Sequence, residues 1–334
     1  MTGAVHLERR TYGDVWLRDT GPLTGFDGAT RRAVRPGFNG WGGKYLMAGD
    51  DAIGAELAGD EGLPVDRPDW ILEGGAIDTD GQGMVLTTEQ CLLNPNRNPA
   101  LNREQIEQRL ARDLGLTRVV WLGDGLLNDH TDGHVDNLAR FVAPGMVALA
   151  EPFGSDDPNA DVYADAKARL EAAGLTVAAI PSPGLVTRGD WVEPASYANF
   201  LIANSIVAVP TFGVPQDEDA VAAIDALFPD RSAIGLPMRA VLAGGGGFHC
   251  ASMQMPPKPS PISRTAASPV KLRHISSSAL PRMAGRTLPQ PPPGNPSDWP
   301  SWSKQDLSRT ATKAGIMIAF AHASSSRSTT AAAG

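Results

Sequence analysis

The chain repeats itself, and the repeat limits the folds open to it. A strand pattern at 84–88, an amphipathic helix pattern at 102–114 and a second strand pattern at 118–122 make one module. The same order returns at 146–150, 159–173 and 176–180, and again at 206–209, 217–228 and 232–236. The modules open at residues 84, 146 and 206, a period of about 60 residues. A weaker copy fits 22–26, 50–58 and 63–65. A strand–helix–strand unit of this size cannot bury its apolar face alone, so copies must pack on their neighbours, and ring closure removes exposed sheet edges. The expectation is an α/β protein whose modules surround a common axis. An open or stacked α/β sheet is the alternative.

Each module ends in a motif of polar, aromatic or glycine residues. The first leads to Glu73-Gly74-Gly75 and the second to Asp132-Gly133-His134-Val135-Asp136-Asn137. The third leads to Ser196-Tyr197-Ala198-Asn199-Phe200 and the fourth to Gly244-Gly245-Gly246-Gly247-Phe248-His249-Cys250. Upstream, Trp16-Leu17-Arg18-Asp19-Thr20-Gly21-Pro22 ends a unit that lacks its opening strand and helix in this sequence. Four complete modules and the tail of a fifth are therefore expected. Around a common axis, Asp19, Glu73, His134, Asp136 and Cys250 would meet in one pocket.

That set of side chains calls for a cation. Buried carboxylates without partners are costly. Acids crowded around a thiol also raise its pKa, which hinders a nucleophile unless a positively charged substrate offsets them. A guanidinium answers both needs, because it is planar, permanently charged and carries paired N–H donors that match carboxylates. The four glycines ahead of Cys250 let a ligand approach the main chain closely, which makes this thiol the candidate nucleophile.

Composition bounds the rest. Residues 1–255 carry 19 Lys and Arg against 35 Asp and Glu, while 256–334 carry 10 against 2. An acidic body attracts small cations and argues against nucleic acid as a partner. Two cysteines, Cys91 and Cys250, provide no disulfide framework and fit a reducing, cytoplasmic setting. No segment approaches the roughly 20 apolar residues of a membrane span. The segment 256–334 holds 12 of the 28 prolines and is rich in Ser, Ala and Thr. It is expected to be a disordered basic tail with at most a short helix at 312–323, and its abrupt bias suggests read-through in another reading frame. The domains are thus 1–255 and 256–334.

Duller readings apply to single residues. His130, Asp132, His134 and Asp136 have metal-type chemistry, but Gly133 breaks the helical face that such spacing needs, so no metal is expected. Cys91 reads as a packed apolar thiol. Tyr197 and Asn199 alternate as in a strand and read as core and backbone caps. His249 reads as structural, and Trp41 as either a pocket wall or turn packing.

Six motifs together resemble the agmatine deiminases of the guanidine-modifying superfamily, whose relatives include peptidyl-arginine and arginine deiminases. They are the Trp16–Pro22 and Glu73–Gly75 motifs, Asn39-Gly40-Trp41-Gly42-Gly43-Lys44-Tyr45, Cys91-Leu92-Leu93-Asn94-Pro95-Asn96-Arg97-Asn98-Pro99, Asp132–Asn137 and Gly246–Cys250. The resemblance runs from about Gly13 to Met255. It implies a pentein, a five-bladed α/β propeller of pseudo-fivefold symmetry, here with its first blade incomplete at the N-terminus. It also implies hydrolysis of agmatine to N-carbamoylputrescine and ammonia without metal or organic cofactor, in a chain that could form a homo-oligomer. By motif, Cys250 matches the nucleophile, His134 the general acid/base and Asp136 the acid beside it. Asp19 and Glu73 match the carboxylates that grip the guanidinium, and Trp16 a pocket aromatic. Another guanidine substrate, such as peptidyl-arginine, and an inactive fragment that keeps the cavity are the competing expectations.

Overall fold

In the computed structural model, residues 8–28 and 30–255 are described. They build four three-stranded sheets of one pattern, in which an outer strand pairs antiparallel with the middle strand and the third strand returns parallel after a helix. The second unit comprises Asp78–Thr79, Met84–Thr88 and Arg118–Leu122, crossed by the helix Arg103–Leu114. The third comprises Ala139–Ala143, Met146–Glu151 and Thr176–Pro181 with helix Ala160–Ala172. The fourth comprises Leu201–Ile202, Ile206–Thr211 and Ser232–Pro237 with helix Asp217–Leu227. The repeating strand–helix–strand modules expected from the sequence are present nearly to the residue, and the protein is mixed α/β.

Two expectations need correction. Each unit has an additional outer strand, which in the second and fourth units is only two residues long. In the first unit the segment near 22–26 is that outer strand, Leu23–Asp27, and not the opening of the module. The parallel pair is Thr30–Val34 with Val65–Asp66, joined through the helix Ile53–Asp60. A hairpin strand and a crossover strand share the same alternation, so periodicity alone could not separate them. The second correction concerns Tyr197–Asn199, which forms a short 3₁₀ turn and not a strand. The expected tail at 256–334, with its helix at 312–323, lies outside the described residues.

The helices are specified locally and held by packing. Asn102 accepts from the Gln105 backbone while the Gln105 side chain reaches back to the Asn102 N–H, and Gly115 closes the helix in the left-handed conformation. Ile106 and Leu110, one turn apart, then face the sheet. The helix Ala160–Ala172 buries Tyr163, Ala166 and Leu170. Adjacent units share their cores: Leu86 and Leu122 of the second pack with Leu149, Tyr163 and Leu170 of the third. Ala148 and Ile180 of the third pack with Val207, Val209 and Ile224 of the fourth. Each fully buried Leu or Ile contributes about 1.5–3 kcal/mol.

The segments between these sheets, with those before the first and after the last, meet in a closed circuit. The Arg18 N–H donates to the Cys250 carbonyl at 2.9 Å, and the Gly75 N–H donates to Asp19 Oδ1 at 2.8 Å. The turn Gly74–Ala76 packs against Val135–Asn137, and that turn packs against Tyr197–Asn199. The His249 N–H donates to the Asn199 carbonyl at 3.2 Å, returning the circuit to Cys250. Buried Arg140 braces the centre by pairing with Asp78 and donating to the carbonyls of Ala198 and Phe200.

Candidate active site

Asp19 sits in the one-turn helix Leu17–Thr20, with both carboxylate oxygens engaged. Oδ1 accepts from Gly75 N at 2.8 Å and Oδ2 from Trp41 Nε1 at 2.9 Å. Trp41 reaches it from a left-handed backbone conformation, φ 54° and ψ 52°, which costs a non-glycine residue about 1–2 kcal/mol. Neighbouring Gly40 and Gly42 also have positive φ, so this turn is shaped to aim the indole N–H inward. Trp16 lies on the other side, against the glycine run. A Cβ at Gly246 would fall 2.6 Å from the Trp16 ring and 3.0 Å from Cys250 Cβ. Among the four glycines only Gly245 has a positive φ. Gly246 and Gly247 are demanded by close approach instead.

Glu73 and His134 form a second group. Glu73 Oε1 accepts from Arg97 Nε at 2.7 Å in a fully buried ion pair, which leaves Oε2 without a partner. Arg97 also holds Asp132, the Asn96 side chain and the Thr131 carbonyl. His134 Nδ1 is 3.9 Å from Asp19 Oδ1, and neither ring nitrogen has a hydrogen-bond partner. Gly75 marks the meeting point. A Cβ built there would lie 2.5 Å from His134 Nδ1, 3.0 Å from Asp19 Oδ1 and 3.1 Å from Asp136 Oδ2.

Cys250 completes the cluster. Its Sγ is 3.6 Å from Asp136 Oδ2, which also meets His249 Nδ1 at 2.8 Å, while Asp136 Oδ1 has no partner. Asn199 Nδ2 donates to the same sulfur at 3.1 Å. Asp19, Glu73, His134, Asp136, Cys250, Trp16 and Trp41 are all buried. The residues selected from sequence therefore meet in one place. His130 and Asp132 do not join them: His130 stacks with Tyr45, and Asp132 pairs with Lys44 and Arg97.

Three residues were given lesser parts by the sequence and stand at the centre of the structure. Asn199 reads from sequence as a backbone cap, which it is for His249 N and Cys250 N, but it also reaches the Cys250 sulfur; His249 reads as structural, and Arg97 stands out only within its motif. Cys91, read as a packed thiol, is buried as expected but borders the site. Glu73, Cys91 and His134 bring ligand-type atoms within 4.8 Å of one another, the one set among the described residues with the proximity a metal ion requires. Arg97 already neutralises this Glu73, which weakens the set as a cation cage.

Residues 2–256 match the family model for Porphyromonas-type peptidyl-arginine deiminase. The chain belongs to this deiminase family. It is 40% identical over 294 residues to a Yersinia pestis protein assigned as an agmatine deiminase by inference, covering 77% of this chain and 78% of that one. The agmatine deiminase of Enterococcus faecalis superposes with a TM-score of 0.67 at 36% identity, covering 71% of this chain and 73% of that one. A C. jejuni agmatine deiminase carrying a Cys-to-Ser replacement, with substrate bound, superposes with a TM-score of 0.68 at 32% identity, covering 71% and 72%.

The electrostatics of this deiminase-family site follow from burial. Asp136 is pushed up to about 7, first by burial and then by the charges of Asp19 and Asp129, against the pull of His134 and Arg140. Burial, then Asp136 and Asp19, push the Cys250 thiol well above its ordinary range. Burial would lower His134, but Asp19, Cys91 and Glu73 outweigh it and hold the ring protonated. Burial together with Arg140, Arg18 and His134 pushes His249 well below its ordinary range, and its Nδ1 and Asp136 Oδ2 share one hydrogen bond. The site thus pairs an imidazolium with a protonated thiol and is short of positive charge. An entering cation would favour the ionised carboxylates and the thiolate together. Among the described residues, no helix is long and apolar enough to cross a membrane.

Proposed function

We propose that this chain hydrolyses agmatine to N-carbamoylputrescine and ammonia. The supporting observation is a buried thiol 3.6 Å from Asp136, within a cluster whose free acceptors, Glu73 Oε2 and Asp136 Oδ1, await donors. A guanidinium supplies planar N–H donors and the missing positive charge in one group. The relatives named agmatine deiminase, one of them with substrate bound and a cysteine replaced by serine, favour the same substrate and a cysteine nucleophile. The burial of every proposed site residue suits a small, narrow substrate better than an arginine within a peptide.

The reaction proceeds in two halves. Glu73 and Asp136 accept from the guanidinium nitrogens, while Asp19, held by Gly75 and Trp41, adds its field. As the cation enters, the Cys250 thiol gives up its proton to solvent; the thiolate attacks the central carbon, and the electron pair of one C=N bond moves onto nitrogen to give a tetrahedral adduct. His134 protonates the departing nitrogen, ammonia leaves, and an S-alkylthiouronium remains on Cys250. His134, now neutral, removes a proton from water as that water attacks the same carbon. Collapse of the second adduct expels the sulfur and forms the urea C=O, while the hydroxyl proton passes to the departing sulfur and restores the thiol. Trp16 and Trp41 wall the site, exclude water and keep the carboxylates strong.

Two coarser features join this reading. Four three-stranded units and five central segments support a five-bladed propeller of pseudo-fivefold symmetry, with residues 1–255 as the deiminase domain. The two free thiols, both buried, support a cytoplasmic location.

The test is incubation of purified protein with agmatine, arginine or an arginine-containing peptide, with ammonia and the carbamoyl product measured. Agmatine is expected to be turned over in preference. Preferential turnover of the peptide would replace this reading with peptidyl-arginine deimination. Folded protein inert towards all three would overturn it. Cys250→Ser is expected to lower turnover by at least about a thousandfold while leaving the fold intact.

A further inference from the structure

We infer that Asp129, Asn137 and Asn199 form a one-way hydrogen-bond relay that presents an amide N–H to the Cys250 sulfur. Asn199 is then a catalytic residue, and Asn137 and Asp129 are its positioning residues. The inference rests on the reading of Cys250 as the nucleophile.

The direction of the relay is set from both ends. Asp129 can only accept when ionised, so Asn137 must turn its Nδ2 toward Asp129 Oδ2, at 3.0 Å. The other oxygen, Asp129 Oδ1, accepts from Thr131 N and Oγ1 at 2.8 and 2.6 Å, which fixes the carboxylate in place. Asn137 Oδ1 is thereby left facing Asn199, whose Nδ2 donates to it at 2.8 Å. At the far end, Asn199 Oδ1 accepts from His249 N at 3.0 Å and Cys250 N at 3.4 Å. Backbone N–H groups cannot accept, so they require the same amide orientation independently. Nδ2 has two hydrogens: one serves Asn137, and the other points at Cys250 Sγ, 3.1 Å away. A Cβ at Gly247 would lie 2.3 Å from Asn199 Oδ1, so the glycine run also makes room for this amide.

The arrangement answers a specific difficulty. Cys250 is faced by Asp136 at 3.6 Å and by the charge of Asp19, both of which oppose a thiolate. The remaining charged or titratable groups around it are His249, whose ring is committed to Asp136, and Arg18, His134 and Arg140 nearby. A carboxylate touching the sulfur would worsen the repulsion. Two neutral amides carry the polarising effect of Asp129 to the sulfur and present only N–H there. The same N–H steadies sulfur when it departs in the second half of the reaction.

The test is the pH profile of Cys250 alkylation by iodoacetamide, with the Cys250 and Cys91 peptides resolved by mass spectrometry. Asn199→Leu should raise the apparent thiol pKa by about one unit or more and lower kcat by about tenfold to a hundredfold. Asp129→Asn keeps the side-chain shape and lies two amides from the sulfur. It should move the same profile upward by a smaller amount and lower kcat by about threefold. If Asn199 served only packing, the variants would lose stability while the profile of the folded protein stayed in place. Profiles that superimpose on the wild type would overturn the relay even with agmatine turned over. If Asn199→Leu does not fold, the Asp129→Asn profile decides. Shifted profiles in a protein inert towards agmatine would support the relay and overturn the proposed activity instead.

Discussion

The third unit rests on a cluster containing Phe141, Val147, Leu149, Tyr163 and Leu170, whereas the core of the first is Ala33, Ala58 and Leu63 with Val65 and Met255 against it. Both border the same site. His134 and Asp136 are carried on the large core, in a turn braced by Leu138 and Val135. On the other side Trp41 packs in a small cluster with Trp16, Cys250 and Ala251, and Asp19 is held by hydrogen bonds from Gly75 and Trp41. Asp50 Oδ1 accepts from the N–H groups of Gly13 and Asp14, and Arg18 Nη1 donates to Gln254 at 2.7 Å. One side of the site is positioned by a large apolar core and the other by a small cluster supplemented with polar tethers. Packing resists displacement over a whole face, while a tether depends on single groups, so the Asp19 side is the more easily disturbed by one substitution.

The largest effect should separate the two cores. Leu149→Ala is expected to cost about 3–4 kcal/mol in urea unfolding, since the cavity is enclosed on all sides. Leu63→Ala, among alanines beside a two-residue strand that can settle inward, should cost about 2 kcal/mol or less. Equal losses would break the comparison. Next in size, Trp41→Phe removes the N–H donated to Asp19 while keeping an aromatic ring. A lost hydrogen bond to a charged group is worth about 1.5–3 kcal/mol, so kcat/KM for agmatine should fall about tenfold to a hundredfold with little change in the unfolding midpoint. A matching fall in stability would mean that Trp41 acts through its packing on Trp16, Phe38 and Ala251 and not through its N–H.

The last effect is a slope and not a step, spread over about three pH units. Asp136, raised from 3.8 to about 7, keeps a proton in the folded state that the unfolded chain has released. Stability should therefore fall as pH rises from about 4 to 7, by at most about 1.4 kcal/mol per unit from this group. His134, also raised, contributes stability that is present below the unfolded imidazole range and lost as pH climbs through its folded value. Both act in the same direction. Asp136→Asn should flatten the dependence in unfolding curves taken across that window, and an unchanged slope would place the titration elsewhere.

Much of this was legible in the sequence, and each omission has its own cause. The parallel strands and their helices carry long apolar periods, so the modules at 84–122, 146–181 and 206–237 could be recognised nearly to the residue. The outer strands Asp78–Thr79 and Leu201–Ile202 are too short to show any period. The site acids and thiol stood out because a buried carboxylate or thiol needs a chemical reason. Asn199 carried no such signal, since a neutral amide is at home in any turn. It could have been found by position: Ser196–Phe200 ends its module where Glu73 and Asp136 end theirs. Arg97 lay hidden for a different reason, because nothing in the chain order shows that it reaches across to Glu73.

The depth of the cluster has a kinetic consequence. Asp19, Glu73, His134, Asp136 and Cys250 are each at most 6% exposed. A substrate that reaches the sulfur has to displace the side chains that cover it. Where that displacement is slower than encounter, the observed binding rate levels off with rising concentration at the frequency of the opening, short of the diffusive ceiling.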